Sequence, residues 1–188
     1  MPSLTSCDSL QGKLLVAVQT EPGDFFYHSV VLLTAHTPDF AEGLVINKPL
    51  QPTVQQDILD KLNITPKLVV STIFQGGPVD LTHGSILHSM EYQTPDTVMI
   101  TDDIALTQTQ QILFDIANDK APEQFLFCVG HAAWQAHQLE EEIMGNIWIP
   151  VPAKAELVLG LTPEKKWQDV LATLQIDANR FSSVAGKA

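Results

Sequence analysis

Short apolar runs bounded by Gly, Pro, Asp or Asn dominate the first half of the chain. Each run has the length of a β-strand, and the residues around it are those that favour turns. A seventh run, at residues 124–129, follows later in the chain and is predicted as a strand for the same reason. The six earlier predicted strands cover residues 13–18, 29–34, 43–47, 69–74, 85–88 and 97–101.

Apolar residues three or four positions apart predict four helices, because that spacing places side chains on one helical face. The third helix is expected directly after Gly130, where Ala132, Ala136 and Leu139 would form the buried stripe. The last is marked by Thr162-Pro163, a cap residue followed by a proline at the first helical position. The predicted helices cover residues 54–62, residues 108–117, residues 132 to about 145, and a segment from 163 onward.

Strands and helices neither alternate regularly nor separate into two blocks, and one more short strand is predicted over 156–159. This order predicts an α+β fold in which a strongly bent mixed β-sheet, including a small barrel, is surrounded by about four helices. With 188 residues and no long linker, the chain is predicted to be a single domain over 1–188. Residues 1–11 and 177–188 are expected to be a loosely ordered leader and tail.

The charge balance narrows the function. Twenty-two acidic residues against ten basic ones give a net charge of −12. Such a field repels phosphate, so direct nucleic-acid binding is not expected. The sequence contains no run of 18 apolar residues, so no membrane span is predicted. The first residues also lack a signal-peptide pattern, so we expect a cytoplasmic protein. Cys128 lies in an apolar strand, and a disulfide to Cys7 is not expected.

The most suggestive stretch for chemistry is 129–134, where a strand is predicted to run into a helix at Gly130. Backbone N–H groups at such a corner can hold an anion, and His131 is a side chain that titrates near neutral pH. A structural interpretation stands beside this one: Gly130 makes the turn, His131 caps or packs, and Trp134 fills the core. No serine stands at the corner, which disfavours a nucleophile elbow.

A second candidate is the pair His137 and Glu141, which lie four positions apart, the spacing of two metal ligands on one helical face. A third ligand would have to come from elsewhere, such as His88 or His131. The polar neighbours, Gln138 among them, indicate instead a solvated face that is open to a partner. We predict no bound metal and no cofactor.

Three further positions admit either a structural or a binding role. Gly76 and Gly77 permit a tight turn or a close approach, but the surrounding residues lack the Lys and Ser or Thr of a phosphate loop. Strand alternation predicts that His88 is half-buried and hydrogen-bonded. Asn47 either ends its strand or directs its amide into a pocket. Proximity of Asn47, Gly77, His88 and His131 in the fold would favour a shared site.

Several motifs follow one another along the chain: SVVLLTAH at 29–36, GLVINKP at 43–49, GGPV at 76–79, GSILH at 84–88, GHAAW at 130–134, QLEEEI at 138–143 and NIW at 146–148. Their order and spacing, over residues 12–188, resemble the AlgH/YqgE family of bacterial proteins. The resemblance implies a compact α+β domain with a bent sheet and a small barrel. The sequence departs from the family pattern at His131, Ala133 and 135–137, where family members often carry other residues.

The resemblance implies no established activity and no catalytic set, only a regulatory label. That label, the acidic charge and the lack of a complete catalytic constellation favour a regulatory or protein-interaction domain without direct DNA contact. Its partner is then an unknown protein rather than a small molecule. A small-molecule-binding or hydrolase-like protein using the corner at Gly130 and His131, and thirdly a DNA-binding regulator, remain alternatives. The candidate site residues are Asn47, Gly76, Gly77, His88, Gly130, His131, Trp134, Gln138 and Glu141.

Overall fold

The computed structural model describes residues 9–62, 72–120, 122–160 and 162–178. Nine strands and five helices lie within these ranges. The strands are β1 (Lys13–Ala17), β2 (Val30–His36), β3 (Phe40–Val45), β4 (Ile73–Gln75), β5 (Val79–Ser89), β6 (Val98–Met99), β7 (Ile104–Thr107), β8 (Phe125–Gln135) and β9 (Trp148–Pro152). The helices are α1 (Pro52–Lys61), α2 (Gln110–Ala117), α3 (Gln138–Met144), α4 (Ala155–Val158) and α5 (Pro163–Thr173).

The strands form one sheet in the order β6-β7-β5-β8-β3-β2-β1-β9, and β4 pairs with β8 outside this path. All neighbours are antiparallel except β4 and β8, which run parallel. The sheet curls strongly into a half-barrel with the helices around it. The predicted α+β fold with a bent, mixed sheet is therefore confirmed.

Strand β8 is central to the curled sheet, because it pairs with β5 and β4 along its first half and with β3 along its second half. Gly130 lies at the change of partners with φ +70°, a left-handed conformation that glycine adopts without steric cost. The glycine therefore bends the strand without ending it. Each half of β8 consequently belongs to a differently oriented part of the sheet.

The prediction of a helix starting at Ala132 is wrong. β8 continues to Gln135, and Ala132 and Trp134 are buried while Ala133 and Gln135 are exposed, which is the two-residue period of a strand. Pairing with β3 stabilises this extended conformation. The apolar spacing of four, three and four was compatible with a helix, but the tertiary pairing determines the structure.

Two other elements differ from the prediction. Residues 156–159 were predicted as a strand, but 156–158 belong to the short helix α4, Leu159 is its C-cap residue, and Leu157 and Val158 are both buried. Strands β7 and β9 were not predicted. The helices α1, α2 and α5 are confirmed, although α2 begins after Thr109 because Thr107 belongs to β7. Residues 69–71 of the predicted fourth strand lie outside the described residues.

The chain ends were predicted to be loose. In the described part of the leader, the Leu10 N–H donates to His36 Nδ1 at 3.0 Å, and directly after the leader the Gly12 N–H donates to the Leu33 carbonyl at 2.9 Å. Ala178 packs against the largest core cluster. Residues 1–8, including Cys7, and 179–188 lie outside the described residues. In the described ranges, no helix is long and apolar enough to cross a membrane.

Candidate functional site

A large bulge in β5 organises the candidate site. Val79 pairs with His131 and Gly84 pairs with Val129, so five steps along β5 span two steps along β8. The residues between, 80–83, are all exposed. Asp80 has φ +46°, which is uncommon for a residue with a side chain. A bulge changes the direction in which side chains point from a sheet. In this bulge, the side chains of residues 80–83 line two clefts.

The first cleft, which we call the apolar cleft, has a volume of about 390 Å³ and lies between α1, α2 and the bulge. Ligand-binding pockets commonly measure roughly 300–1,000 Å³. Polar groups occur along its rim, among them Lys61, Thr109 and Gln110. Its apolar wall is formed by Ile58, Leu62, Leu81, Ile86, Leu113 and Phe127.

The second cleft, which we call the polar cleft, has a volume of about 240 Å³ on the other side of the bulge. Two carboxylates and two imidazoles line it together with Thr34, Ser85 and Gln108. His83 and Gln108 line both clefts, so the two adjoin. Gln108 Nε2 donates to Ser85 Oγ at 3.0 Å, and this hydrogen bond holds the Gln108 side chain between the two clefts. The titratable side chains are Glu42, Asp80, His83 and His131.

Asp80 is held in its charged form. The hydroxyl of Thr82 donates to Asp80 Oδ1 at 2.7 Å. This hydrogen bond is the largest of the effects that lower the pKa of Asp80, and the Thr82 N–H and the nearby imidazoles of His83 and His131 act in the same direction. Within the described ranges, the side chains of Glu42, His83 and His131 have no hydrogen-bond partner, so they are available to a ligand.

The structure brings Gly76, Gly77, Gly130 and His131 close together, but the contacts between them are mainly between backbone atoms. Gly76 N–H donates to the Val129 carbonyl at 2.8 Å, and a Cβ on Gly77 would lie 2.0 Å from the carbonyl carbon of His131. No side chain fits there, so these glycines permit close packing of two segments rather than bind a ligand. Of the four residues, only His131 directs its side chain into a cleft.

Asn47 and His88 lie away from the clefts. Asn47 Oδ1 accepts from the Val30 N–H at 2.9 Å, and its Nδ2 donates to the His28 carbonyl at 2.8 Å, so the amide joins two segments of the fold. His88 is fully buried, not half-buried, and its ring nitrogens lie 2.9 Å from the Ser89 carbonyl and 2.9 Å from Thr107 Oγ1. Both residues have structural roles.

Trp134 and Gln138 belong to a third location, on the face where α3 covers the sheet. Trp134 Nε1 donates to Glu142 Oε2 at 2.8 Å, Trp148 Nε1 donates to the same oxygen at 2.7 Å, and Gln138 Nε2 donates to Oε1 at 2.8 Å. Glu142, which the sequence analysis did not single out, is the centre of this network. Its neighbour Glu141 is exposed.

The metal-ligand spacing of His137 and Glu141 is not realised. His137 is the residue before α3, with φ +66°, and so does not share a helical face with Glu141. In the ranges that the structure describes, no group of three or more His, Cys, Asp or Glu side chains is arranged to hold a metal ion. The anion-binding corner predicted at Gly130 does not exist either, because β8 continues through it.

Sequence reasoning missed most of the cleft residues. Of the nine candidate residues only His131 lines a cleft, whereas Lys61, Glu42, Asp80, His83 and Gln108 were not proposed. One signal was available: three polar residues, Asp80, Thr82 and His83, lie between Val79 and the apolar run that begins at Ile86, with Leu81 among them. Such an interruption is typical of a bulge as well as of a turn.

Together these features define a small α+β domain with a half-barrel sheet and a two-part cleft, and without an assembled catalytic set among the described residues. The family model described as AlgH-like matches residues 14–179. The chain belongs to the AlgH-like family. This confirms the resemblance drawn from the sequence motifs.

Individual relatives align with this chain over nearly all of their length. A UPF0301 protein of Shewanella loihica is 35% identical over 96% of this chain and 100% of its own. A UPF0301 protein of Jannaschia sp. is 37% identical over 100% of this chain and 99% of its own. The solution structure of AlgH from Pseudomonas aeruginosa matches with a TM-score of 0.75 and 29% identity over 100% of both chains. A Corynebacterium diphtheriae protein shares the fold, with a TM-score of 0.69, 19% identity and coverage of 89% and 88%.

Proposed function

We propose that this protein is a regulatory protein-interaction domain whose two clefts bind an extended segment of a partner protein. The segment carries a bulky apolar side chain, which occupies the apolar cleft, and a Lys or Arg, which lies in the polar cleft. The observation that supports this most directly is that the two clefts adjoin, because His83 and Gln108 line both of them. We further propose a cytoplasmic location, in keeping with the free, buried Cys128.

The apolar half of the proposal rests on exposed hydrophobic surface at the bulge. Leu81 is 53% exposed although it borders the apolar cleft, and Val79 beside it is 42% exposed. Apolar surface around a concave site is typical of a binding surface. An apolar side chain of a partner would cover Leu81 and contact Leu113 and Ile58, and so remove this surface from water.

The basic half of the proposal rests on charge. Glu42 and Asp80 both line the polar cleft, which contains no Lys or Arg among the described residues. The lowered pKa of Asp80 keeps its carboxylate charged at neutral pH. The whole protein carries −12, so a basic partner is attracted over a distance as well as within the cleft. Arg or Lys is therefore the complementary side chain.

The same charge argues against direct DNA contact, so regulation would act through the partner. A hydrolase is less well supported. His131 has a carboxylate, Asp80, near it, but no Ser, Thr or Cys whose hydroxyl or thiol donates a hydrogen bond to His131 lies in the described part of the chain. The histidine and the acids of the polar cleft suit recognition of a cation better than covalent catalysis.

The proposal can be tested by fluorescence anisotropy with short labelled peptides. The panel varies the spacing between one basic and one apolar residue, and it includes peptides in which Glu replaces the basic residue or Ser replaces the apolar one. We expect the peptide with both features to bind at least about tenfold more tightly than either altered peptide, since each replacement removes more than about 1.4 kcal/mol. A short DNA duplex at low salt is expected to give no signal.

Two pairs of variants assign the binding to the clefts. Leu81→Asp is expected to abolish binding, whereas Met144→Asp is not, because Met144 is 75% exposed on α3, outside both clefts. Glu42→Gln is expected to weaken only peptides with a basic residue, with Glu141→Gln as the exposed control. Equal binding of all panel peptides, or an unchanged affinity for Leu81→Asp, would refute the proposal.

A further inference from the structure

We propose that His36 is a pH-sensitive switch, which holds the leader against the sheet in its neutral form and releases it when the ring binds a second proton. His36 is the last residue of β2, and it lies opposite Ala41 of β3. Ala41 belongs to the apolar cluster beneath α3, whereas the next residue, Glu42, lines the polar cleft. Because side chains alternate along a strand, His36 faces away from the clefts, and the inference does not rest on the proposed function.

Both ring nitrogens of His36 have a partner, and the two contacts fix the position of the ring proton. The Leu10 N–H donates to Nδ1 at 3.0 Å, so Nδ1 carries no hydrogen. Nε2 lies 2.8 Å from Glu140 Oε1, and an ionised carboxylate can only accept, so Nε2 carries the proton and donates. The structure therefore contains the neutral ring with its proton on Nε2.

A second proton on this ring is incompatible with the contact to the leader. The proton must go to Nδ1, the remaining nitrogen, where it would point at the Leu10 N–H. Two donors that face each other form no hydrogen bond. The His36 side chain is 5% exposed, so water has little access to replace the lost partner. Protonation of His36 therefore separates it from Leu10.

The charges around the ring favour the protonated form. Burial acts to raise the pKa of Glu140, but hydrogen bonds from its own backbone N–H and from His36 outweigh this and lower it, so the carboxylate is charged at neutral pH. An imidazolium would bind this carboxylate more strongly than the neutral ring does. His137, before α3, also acts on Glu140, and the neighbouring elements contribute Lys13 at the start of β1 and Asp39 between β2 and β3. The cost of protonation thus falls on the contact to Leu10 and not on the contact to Glu140.

The described part of the leader depends on His36 for its attachment. Besides the bond from Leu10, the Ser9 hydroxyl donates to the His36 carbonyl at 3.3 Å, and within the described ranges no other hydrogen bond joins residues 9–11 to an element after β1. Gly12 keeps its own bond to the Leu33 carbonyl, so the release ends there. Leu10 also packs against the apolar cluster beneath α3. Its release therefore exposes apolar surface as the pH falls.

Amide hydrogen exchange, measured by NMR on the full chain, tests the switch directly. Protection factors, which correct for the intrinsic pH dependence of exchange, are compared at about pH 7.5 and about pH 5.5, across the range in which histidines change charge. We expect the protection factor of Leu10 to fall at least about fivefold, because one hydrogen bond is lost. That of Gly12, whose acceptor is the Leu33 carbonyl, should change less than about twofold. Proton–nitrogen spectra of the imidazole should place the proton on Nε2 at the higher pH.

Two substitutions at His36 separate the proton from the contact. His36→Asn keeps an acceptor, since its Oδ1 takes the place of Nδ1, but it binds no proton in this range, so Leu10 should stay protected at both pH values. His36→Leu removes the acceptor, so Leu10 should lack this protection at both. His83→Asn, at an exposed histidine of the bulge, is the control and should leave the pH dependence unchanged.

A substitution on α3 tests the source of the proton affinity. Glu140→Gln keeps an acceptor for Nε2 but removes the charge that favours the imidazolium. The midpoint of the loss of Leu10 protection should therefore move to lower pH by about one unit or more. Glu141→Gln, at the exposed neighbour, should move it much less.

Three results would overturn the proposal. The first is equal protection of Leu10 at both pH values, and this comparison needs no variant. The second is a proton on Nδ1 at neutral pH, and the third is a pH dependence that persists in His36→Asn. Because His36 and the clefts lie on opposite faces, peptide binding in the panel should be unchanged in His36→Asn, and failure of the switch would leave the proposed function standing.

Discussion

Three polar side chains that support the fold have hydrogen-bond partners within the protein, whereas the two imidazoles of the polar cleft have none among the described residues. In the interior, Asn47, His88 and Glu142 each bind named groups of the protein at 2.7–2.9 Å. In the polar cleft, His83 and His131 have no such partner within the described ranges. Buried polar groups must be satisfied for the protein to fold, whereas unsatisfied groups in a cleft are available to a ligand. The first set therefore maintains the fold, and the second is the set that we propose to contact the partner.

The largest expected effect is that of Gly77→Ala. An added Cβ would lie 2.0 Å from the His131 carbonyl carbon, which belongs to the backbone and cannot move aside alone. We expect a loss of more than about 4 kcal/mol in the free energy of unfolding, measured by urea denaturation. Gly145→Ala is the control, because its Cβ would meet the nearest atom at 3.3 Å, and it should cost less than about 1 kcal/mol. Equal stability of the two variants would show that Gly77 is not closely packed.

The next largest loss of stability is expected from a change at Glu142, whose carboxylate accepts hydrogen bonds from two indoles. Glu142→Leu would leave the N–H groups of Trp134 and Trp148 without their acceptor. Loss of the partner of a buried donor costs about 1–3 kcal/mol, so we expect the two donors together to cost about 3 kcal/mol, measured by urea denaturation. Glu141→Leu, the exposed neighbour, should change the stability by less than about 0.5 kcal/mol. An unchanged free energy of unfolding in Glu142→Leu would contradict this expectation and would mean that water replaces the carboxylate as the acceptor.

Lys166 is an exception within the interior, because it is fully buried and, among the described residues, its Nζ donates only to the Ile46 carbonyl, at 3.2 Å. Burial lowers its pKa from 10.5 to about 8. The folded state then binds this proton less tightly than the unfolded state, so stability should be lower below pH 8 and should rise from pH 8 to about pH 9. Above pH 9, burial of Cys128, which raises the pKa of its thiol from 9.0 to about 12, acts in the opposite direction. The shift corresponds to on the order of 3 kcal/mol.

Lys166→Met should therefore be more stable than the natural protein at pH 7, by up to about 2 kcal/mol after loss of the hydrogen bond. Its stability should no longer rise between pH 8 and about pH 9. Urea denaturation at several pH values measures both quantities, and Lys165→Met, an exposed lysine one position earlier, is the control. A pH dependence that persists in Lys166→Met would assign it to another group.

The smallest expected change in stability is that of the cleft variants. Leu81→Asp and Glu42→Gln should alter the free energy of unfolding by less than about 0.5 kcal/mol, because neither side chain supports the core. Their effect on peptide affinity should nevertheless be large for Leu81 and moderate for Glu42. Loss of stability similar to that of Glu142→Leu would remove the distinction between the two sets of residues.

Much of the fold could be predicted because strands and helices carry their own periodicity. Ile112 and Ile116 are buried as the spacing predicts, and Pro163 does begin its helix. Prediction failed at 132–135, where alternation and helical spacing coincide, and where the pairing partner β3 lies about 90 positions earlier. It also failed at 156–159, because four residues are too few to distinguish the two periods.

The candidate site was less predictable than the fold. Glycine, histidine and tryptophan attract attention in a sequence, but here Gly77, His88 and Trp134 serve close packing and internal hydrogen bonds. The cleft depends on how far β5 bulges from β8, which no local pattern specifies. Lys61 and Asp80 are ordinary surface residues in sequence, and only the three-dimensional pairing places them beside the same bulge.

The most direct test of the central claim maps the bound peptide on the protein by two-dimensional NMR, using the peptide with one basic and one apolar residue. We predict that the amides of residues 79–84, His131 and the first turn of α2 shift together, while those of α3 and β9 do not. Shifts confined to α3 and β9, around Trp148 and Glu142, would contradict the assignment of the two clefts as the binding site.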